Sequence, residues 1–215
     1  MNRKTIRTIV YLIGAYVICQ AIADIGATKL VELWGIVIPG GTFIFAFTFT
    51  LRDVIHKRLG RDWARAAILT AGVLNVVQAA YLWAIGQLPA PAFYGLAESW
   101  GAIFAIVPAI TIGSITAEIL SESIDTEIFH VVKMKLPRMP QWSRVLMSNA
   151  VSLPIDSLTF ALLAFVLLPP FFGGDSMPVW AALQLTSGQI IFKAIVTVIS
   201  LPAIYLVKDE SILEA

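Results

Sequence analysis

Two apolar segments carry the same polar pattern, Ser-x-x-Ile-Asp-x-x-x-Phe: Ser121-Glu122-Ser123-Ile124-Asp125-Thr126-Glu127-Ile128-Phe129 and Ser152-Leu153-Pro154-Ile155-Asp156-Ser157-Leu158-Thr159-Phe160. The two copies are offset by 31 residues. Residues four apart lie on one face of an α-helix, so Ser, Asp and Phe form a stripe on each predicted helix. A carboxylate within an apolar helix is costly in a bilayer, and it usually faces protein or a water-filled cavity. The repeated pattern therefore predicts two membrane helices that line a path for a small molecule.

The composition is that of an integral membrane protein. Of the 215 residues, 58% are hydrophobic and 13% are charged, whereas soluble domains carry about 25% charged residues. Cys19 is the single cysteine, which excludes an internal disulfide and a multi-cysteine metal site.

Apolar segments of membrane-spanning length occur six times. About 20 residues cross a hydrocarbon core of roughly 30 Å, and the six segments cover approximately residues 6–23, 34–51, 63–85, 100–120 or beyond, 145–168 and 181–207. Helices satisfy their backbone groups within such segments, and the alternation of a barrel strand is absent. We therefore expect an all-α bundle of six transmembrane helices. Pro39-Gly40-Gly41 predicts a bent or unwound start of the second segment.

The positions of the charges predict the orientation. Thirteen of the 15 Lys and Arg residues precede the first segment, follow the sixth, or lie in the second or fourth connection. Loops rich in Lys and Arg face the cytoplasm, so both termini are expected there. All six Trp residues fall at segment ends, as in the aromatic belts of membrane interfaces. Because the connections are short, residues 1–215 are expected to form a single membrane domain.

Polar residues inside the predicted spans are the candidates for solute binding. The fourth and fifth spans each place several of them on one helical face, and the third span contributes an amide. Carboxylates cost at least about 2.5 kcal/mol each at mid-bilayer, which argues for a functional role. The candidate substrate-binding residues are Glu118, Asp125, Asp156, Ser121, Ser152, Asn149 and Gln78.

Structural roles compete with these assignments. Asp156 lies near the predicted bilayer centre, where it could instead form a neutralised pair with Lys193. Glu122 and Glu127 fall near the cytoplasmic headgroups on depth alone. The neighbouring residues Arg52-Asp53 are interpreted as a structural or gating pair at the inner mouth.

Other functional patterns are absent or weak. The alternating Phe43, Phe45, Phe47 and Phe49 are more typical of lipid or core contacts than of a ligand platform. The sequence contains no P-loop and no nucleophile elbow, and its two histidines lie in different segments. Nothing in the sequence indicates an enzyme, a metal site or a cofactor.

A series of short motifs, in order, covers roughly residues 20–165: Ala27-Thr28-Lys29-Leu30-Val31, Ile38-Pro39-Gly40-Gly41-Thr42-Phe43, Phe47-Thr48-Phe49-Thr50-Leu51-Arg52-Asp53-Val54-Ile55, Gly60-Arg61 with Ala64-Arg65, Leu120-Ser121 with Asp125 and Phe129, Trp142 with Arg144, Ser148-Asn149, and Ser152 with Ile155-Asp156-Ser157 and Phe160. In this order and spacing the chain resembles the queuosine precursor transporters, also called the vitamin-uptake-transporter family of bacterial inner-membrane proteins.

The resemblance implies a multi-pass protein of the cell inner membrane that takes up 7-deazaguanine precursors of queuosine, preQ0 and preQ1. The residues are compatible with such a solute, because a carboxylate accepts two adjacent N–H donors and an amide can bond the remaining edge. The expected partners are this small molecule and the lipid bilayer, and no nucleic acid. The sequence leaves homo-oligomerisation and the energy source open.

Two other functions compete with an importer. Ala15, Cys19 and Ala23 recur every four residues and could pack against a partner helix, as in a substrate-binding subunit that needs a separate ATP-driven module. The third hypothesis is a non-transporting scaffold or an intramembrane enzyme. It predicts that the carboxylates tolerate substitution.

Overall fold

The computed structural model of the protein describes residues 3–136, 139 and 141–206. This part of the chain contains, in order, α1 (Arg3–Gly26), β1 (Leu30–Leu33), β2 (Ile36–Pro39), α2 (Thr42–Leu59), α3 (Arg61–Gly86), α4 (Ala97–Ala105), α5 (Val107–Lys135), α6 (Gln141–Leu162) and α7 (Val179–Leu206). A π-helical turn, Leu163–Leu167, continues α6, and the 3-10 turn Pro169–Phe172 follows it.

Five helical segments of the described part are long and apolar enough to cross a membrane. They are Thr5–Gly26, Asp62–Gly86, Ala97–Asp125, Leu146–Leu167 and Val179–Ile199. Each of them overlaps one of the six segments expected from the sequence. The protein is therefore a mostly helical, polytopic membrane protein.

The second expected segment has a different structure at its start. Residues 34–41 were expected to begin a membrane helix, but β1 and β2 form an antiparallel hairpin and α2 begins at Thr42. Trp34 and Gly35 have positive φ angles of 51° and 78° and occupy the two-residue turn, as hairpin turns of the primed types require. The interruption predicted at Pro39-Gly40-Gly41 is present, whereas a helix over residues 34–39 was wrong. The apolar part of α2 is short, Thr42–Arg52.

The outer surface of the bundle is apolar, and polar groups are buried among the apolar residues of its interior. Large apolar side chains such as Leu69, Val73 and Ile199 are exposed on the outside of the bundle. Amides and charged groups such as Gln20 and Asp24 are buried between the helices. An apolar outer surface with polar groups inside is the arrangement that a hydrocarbon environment favours.

Two glycines allow close backbone contacts, one between the start of α2 and α1 and the other between α7 and the hairpin. A Cβ atom at Gly41 would overlap the carbonyl oxygen of Ala23 in α1, and one at Gly188 in α7 would overlap the carbonyl oxygen of Val37 in β2. Small residues permit this kind of backbone contact between membrane segments. The start of α2 is thus held against α1, and β2 against α7. Ala23 is buried by this contact within the chain, so it cannot pack against a helix of a partner protein.

We expect Gly41→Ala to destabilise the protein by about 1–3 kcal/mol, the usual cost of overpacking, because the added methyl group meets helix backbone rather than a mobile side chain. The apparent melting temperature of the purified protein in detergent measures this effect. Gly95→Ala is the matched control, since no atom lies within 4 Å of a Cβ built at Gly95. Equal melting temperatures for the two variants would show that the close contact does not exist.

Candidate functional site

A small cavity lies where α1, α2, α5, α6 and α7 meet. Its polar lining consists of Asp24, Thr42, Ser114, Asp156, Gln189 and Lys193, and Phe45 and Phe160 contribute aromatic walls. The cavity volume is about 30 Å³, which is room for about two water molecules at 10–15 Å³ each. In this conformation the cavity is too small for a heteroaromatic ring and is closed to such a solute. Binding of that solute requires the surrounding helices to move apart.

An ion pair between Asp156 and Lys193 forms one side of the cavity. Lys193 Nζ of α7 donates to Asp156 Oδ2 of α6, and the two side chains are only 3% and 5% exposed, respectively. Ser121 Oγ of α5 donates to the other oxygen, Asp156 Oδ1, at 3.2 Å. Lys193 Nζ also lies 5.3 Å from the centroid of the Phe45 ring, a cation–π distance. The structure thus contains the pairing of Asp156 with Lys193, and it places that pair at the cavity.

The two copies of the repeated pattern contact each other. Ser121 of the first copy donates to Asp156 of the second at 3.2 Å, and Ser152 of the second donates to Asp125 of the first at 3.1 Å. This reciprocity requires α5 and α6 to be antiparallel in one fixed register, in which each Ser lies opposite the other Asp. Asp125 and Ser152 lie outside the lining of the cavity.

Two further carboxylates of α5, Glu118 and Glu122, are held by α1 and α2. Tyr16 Oη donates to Glu118 Oε1 at 3.2 Å, and Gln20 Nε2 donates to Tyr16 Oη at 3.0 Å. Arg52 of α2 forms a salt bridge with Glu122. The expected pairing of Arg52 with Asp53 involves a side chain outside the described residues. Glu127 is exposed, in keeping with a headgroup position.

The two amides among the candidates lie apart from the cavity lining. Gln78 Nε2 donates to the carbonyl oxygen of Ala21 at 3.3 Å, which connects α3 to α1. Asn149 is half-buried on α6. Of the seven candidates named from the sequence, Asp156 is the one that lines the cavity, and Ser121 contacts Asp156 directly.

Asp24 is a cavity residue that was not among the candidates. The sequence placed it just after the first span, but α1 continues to Gly26 and the Asp24 side chain is 3% exposed. Asp24 Oδ2 accepts hydrogen bonds from Asn75 Nδ2 at 3.1 Å and from Thr111 Oγ1 at 2.9 Å. The four-residue spacing of Tyr16, Gln20 and Asp24 was the available signal, because it puts all three polar residues on one helical face.

Gln189 is the second cavity residue outside the candidate set. It is 1% exposed on α7, one helical turn before Lys193, and it lines the cavity. Its Nε2 atom has no hydrogen-bond partner within the described part of the chain. A buried amide donor without a partner is rare and requires an explanation.

The charged groups of the cavity do not balance. The lining contains two carboxylates, Asp24 and Asp156, and one ammonium group, Lys193. With all three ionised, the cavity carries an excess negative charge, which favours a cationic or donor-rich solute over an anion. Over the residues with described positions, no group of three His, Cys, Asp or Glu side chains could hold a metal ion.

An apolar outer surface around buried charged groups and a small internal cavity is the architecture of an integral membrane protein. Residues 39–207 match the family described as "Putative vitamin uptake transporter", and the chain belongs to this family. The match confirms the resemblance seen in the sequence motifs. It also confirms a multi-pass protein of the cell inner membrane.

A curated relative covers most of the chain. The "Probable queuosine precursor transporter" of Bacillus subtilis (strain 168) is 27% identical over 198 residues, which are 91% of this chain and 81% of the relative. No solved structure matches the chain significantly.

The ion pair provides a stability test of the site. We expect Asp156→Leu to destabilise the protein by about 3–5 kcal/mol, because it leaves the buried Lys193 ammonium group uncompensated. Adding Lys193→Met removes that charge, so the double variant should recover most of the lost stability. The measurement is the melting temperature of the single and the double variant in detergent. Asp175→Leu is the control, because it removes an exposed carboxylate. A double variant no more stable than the single variant would contradict the pairing.

Proposed function

We propose that the protein imports a queuosine precursor of the 7-deazaguanine type, preQ0 or preQ1, through the central cavity. The observation that carries this proposal is the combination of two buried carboxylates, Asp24 and Asp156, with two aromatic walls, Phe45 and Phe160. A flat heterocycle can stack on aromatic rings while its N–H groups donate to carboxylates. The family and the name of the Bacillus subtilis relative support the same class of solute.

The polar groups of α5 suggest the route of the solute. Thr111 contacts Asp24, Ser121 contacts Asp156 and Asp125 contacts Ser152. These contacts extend over 14 residues of one helix, or about 21 Å at 1.5 Å per residue. In this proposal Asp156 binds the solute, with Glu118, Asp125, Ser121, Ser152, Asn149 and Gln78 as further polar groups along the path.

Solute binding and the ion pair are linked in this proposal. Asp156 Oδ2 is occupied by Lys193 and its Oδ1 by Ser121 in the closed conformation. An N–H donor of the solute can replace one of these bonds only when the cavity widens. Opening of the cavity and exchange of partners at Asp156 are then one event, as an alternating-access carrier requires.

Binding and uptake test the function directly. We expect preQ0 or preQ1 at 100 times its dissociation constant to stabilise the purified protein by about 2.7 kcal/mol, seen as a rise in melting temperature. Proteoliposomes containing this protein alone should accumulate the labelled compound without ATP. Uptake that appears only with a copurified ATPase would favour the subunit of an ATP-driven system instead.

Substitution of the carboxylates tests the site. We expect Asp156→Asn and Asp125→Asn to reduce uptake at least tenfold at matched protein levels, since a hydrogen bond to a charged group contributes about 1.5–3 kcal/mol. The exposed Asp175→Asn variant is the control. Normal uptake by both Asp156→Asn and Asp125→Asn would refute the assignment of these residues.

We also propose that α2, together with the hairpin, completes a sixth crossing, so that residues 1–215 form one six-span domain with cytoplasmic termini. In a variant without Cys19, a cysteine replacing Glu32 in β1 should react with a membrane-impermeant maleimide in intact cells. A cysteine replacing Lys135 at the end of α5 should react only after permeabilisation. The opposite labelling pattern would show that the orientation in the membrane is the reverse of the one proposed.

A further inference from the structure

Asp24 is the second buried carboxylate of the cavity, beside Asp156. It lies on the last turn of α1 and lines the cavity together with residues of α5, α6 and α7. The neighbouring cation of the cavity, Lys193, is paired with Asp156. Buried carboxylates are normally paired with cations or fully hydrogen-bonded.

The hydrogen bonds of Asp24 are unevenly distributed between its two oxygens. Asn75 and Thr111 both donate to Oδ2. Neither of these two hydrogen bonds involves Oδ1. Asn75 and Thr111 come from α3 and α5, so they fix the orientation of the carboxylate from two sides. The result is an oriented acceptor at the cavity with one oxygen still unoccupied.

Gln189 supplies the complementary group at the same cavity. Its side chain is 1% exposed, it is part of the lining, and its Nε2 donor has no partner among the described residues. Asp24 is therefore an unfilled acceptor, and Gln189 is an unfilled donor. Asp156, by comparison, already accepts a bond at each oxygen.

We propose that Asp24 and Gln189 together recognise the polar edge of a planar heterocycle that presents a ring carbonyl next to N–H groups. Asp24 Oδ1 accepts a hydrogen bond from the exocyclic amino group, and Gln189 Nε2 donates to the carbonyl oxygen. This edge is the lactam–amidine edge of a guanine-like ring. The inference rests on the proposed function, and it names the two residues that determine specificity within the cavity.

Two chemically matched ligands test the assignment. The first is preQ0, and the second is its analogue without the exocyclic 2-amino group. Dissociation constants are measured by calorimetry for the purified wild type and for Asp24→Asn, Gln189→Met and the control Asp175→Asn. Loss of one hydrogen bond to a charged group corresponds to roughly a ten- to hundredfold loss of affinity.

The two site variants should behave differently. The wild type and Asp175→Asn should bind preQ0 roughly ten- to hundredfold more tightly than the analogue. Asp24→Asn should bind preQ0 about as weakly as the analogue, because an amide group cannot replace the charged acceptor. Gln189→Met should weaken both ligands equally and retain the preference for preQ0, because both ligands carry the carbonyl group.

The outcomes separate this inference from the proposed function. If the wild type binds neither ligand, the proposed function and the inference both fail. If the wild type prefers preQ0 and Asp24→Asn keeps both the affinity and the preference, only the inference fails. A variant of Asp24 that does not fold leaves Gln189→Met as the test, and an unchanged affinity of that variant for both ligands overturns the pairing.

Discussion

The register between α5 and α6 is the constraint on which the rest of the site depends. Two reciprocal hydrogen bonds, from Ser121 to Asp156 and from Ser152 to Asp125, hold the helices antiparallel. A shift by a single residue would rotate each Asp by about 100° away from its Ser, since a helix has 3.6 residues per turn. With this register fixed, Asp156 faces α7, where Lys193 neutralises it.

The other half of the cavity depends on backbone contact rather than on charge. Gly41 brings the start of α2 against α1, and Gly188 brings α7 against β2. These contacts place Asp24 of α1 and Phe45 of α2 in the same cavity as Lys193. Because α2 starts only at Thr42, the irregular backbone before it lies beside the cavity, where polar groups can satisfy it. Discontinuous membrane segments occur at binding sites of other transporters for the same reason.

Hydropathy and charge alone predicted six spans, and five of them are long apolar helical segments close to the predicted limits, because the bilayer imposes one length and one polarity on every spanning helix. The hairpin could not be predicted in this way. Residues 30–39 are apolar enough to resemble part of a span, and the deciding features, the turn at Trp34-Gly35 and the contact of β2 with Gly188, depend on tertiary structure. Likewise, the repeated pattern identified Asp156, whereas Asp24 appeared to lie in a loop because the sequence does not show where α1 ends.

The charge balance of the cavity connects binding with conformational change. The Asp156–Lys193 pair has no net charge, and each Asp156 oxygen already accepts a hydrogen bond, so the pair stabilises this conformation without a solute. Both hydrogen bonds found at Asp24 end on Oδ2, and Gln189 Nε2 has no partner among the described residues. In the inferred recognition these two groups bind the solute without first breaking an internal bond. A solute that engages these two groups and then competes for Asp156 would replace the ion pair that favours closure. A ligand shifts a conformational equilibrium only by its difference in affinity between two states, and in the proposed function the exchange of partners at Asp156 supplies that difference.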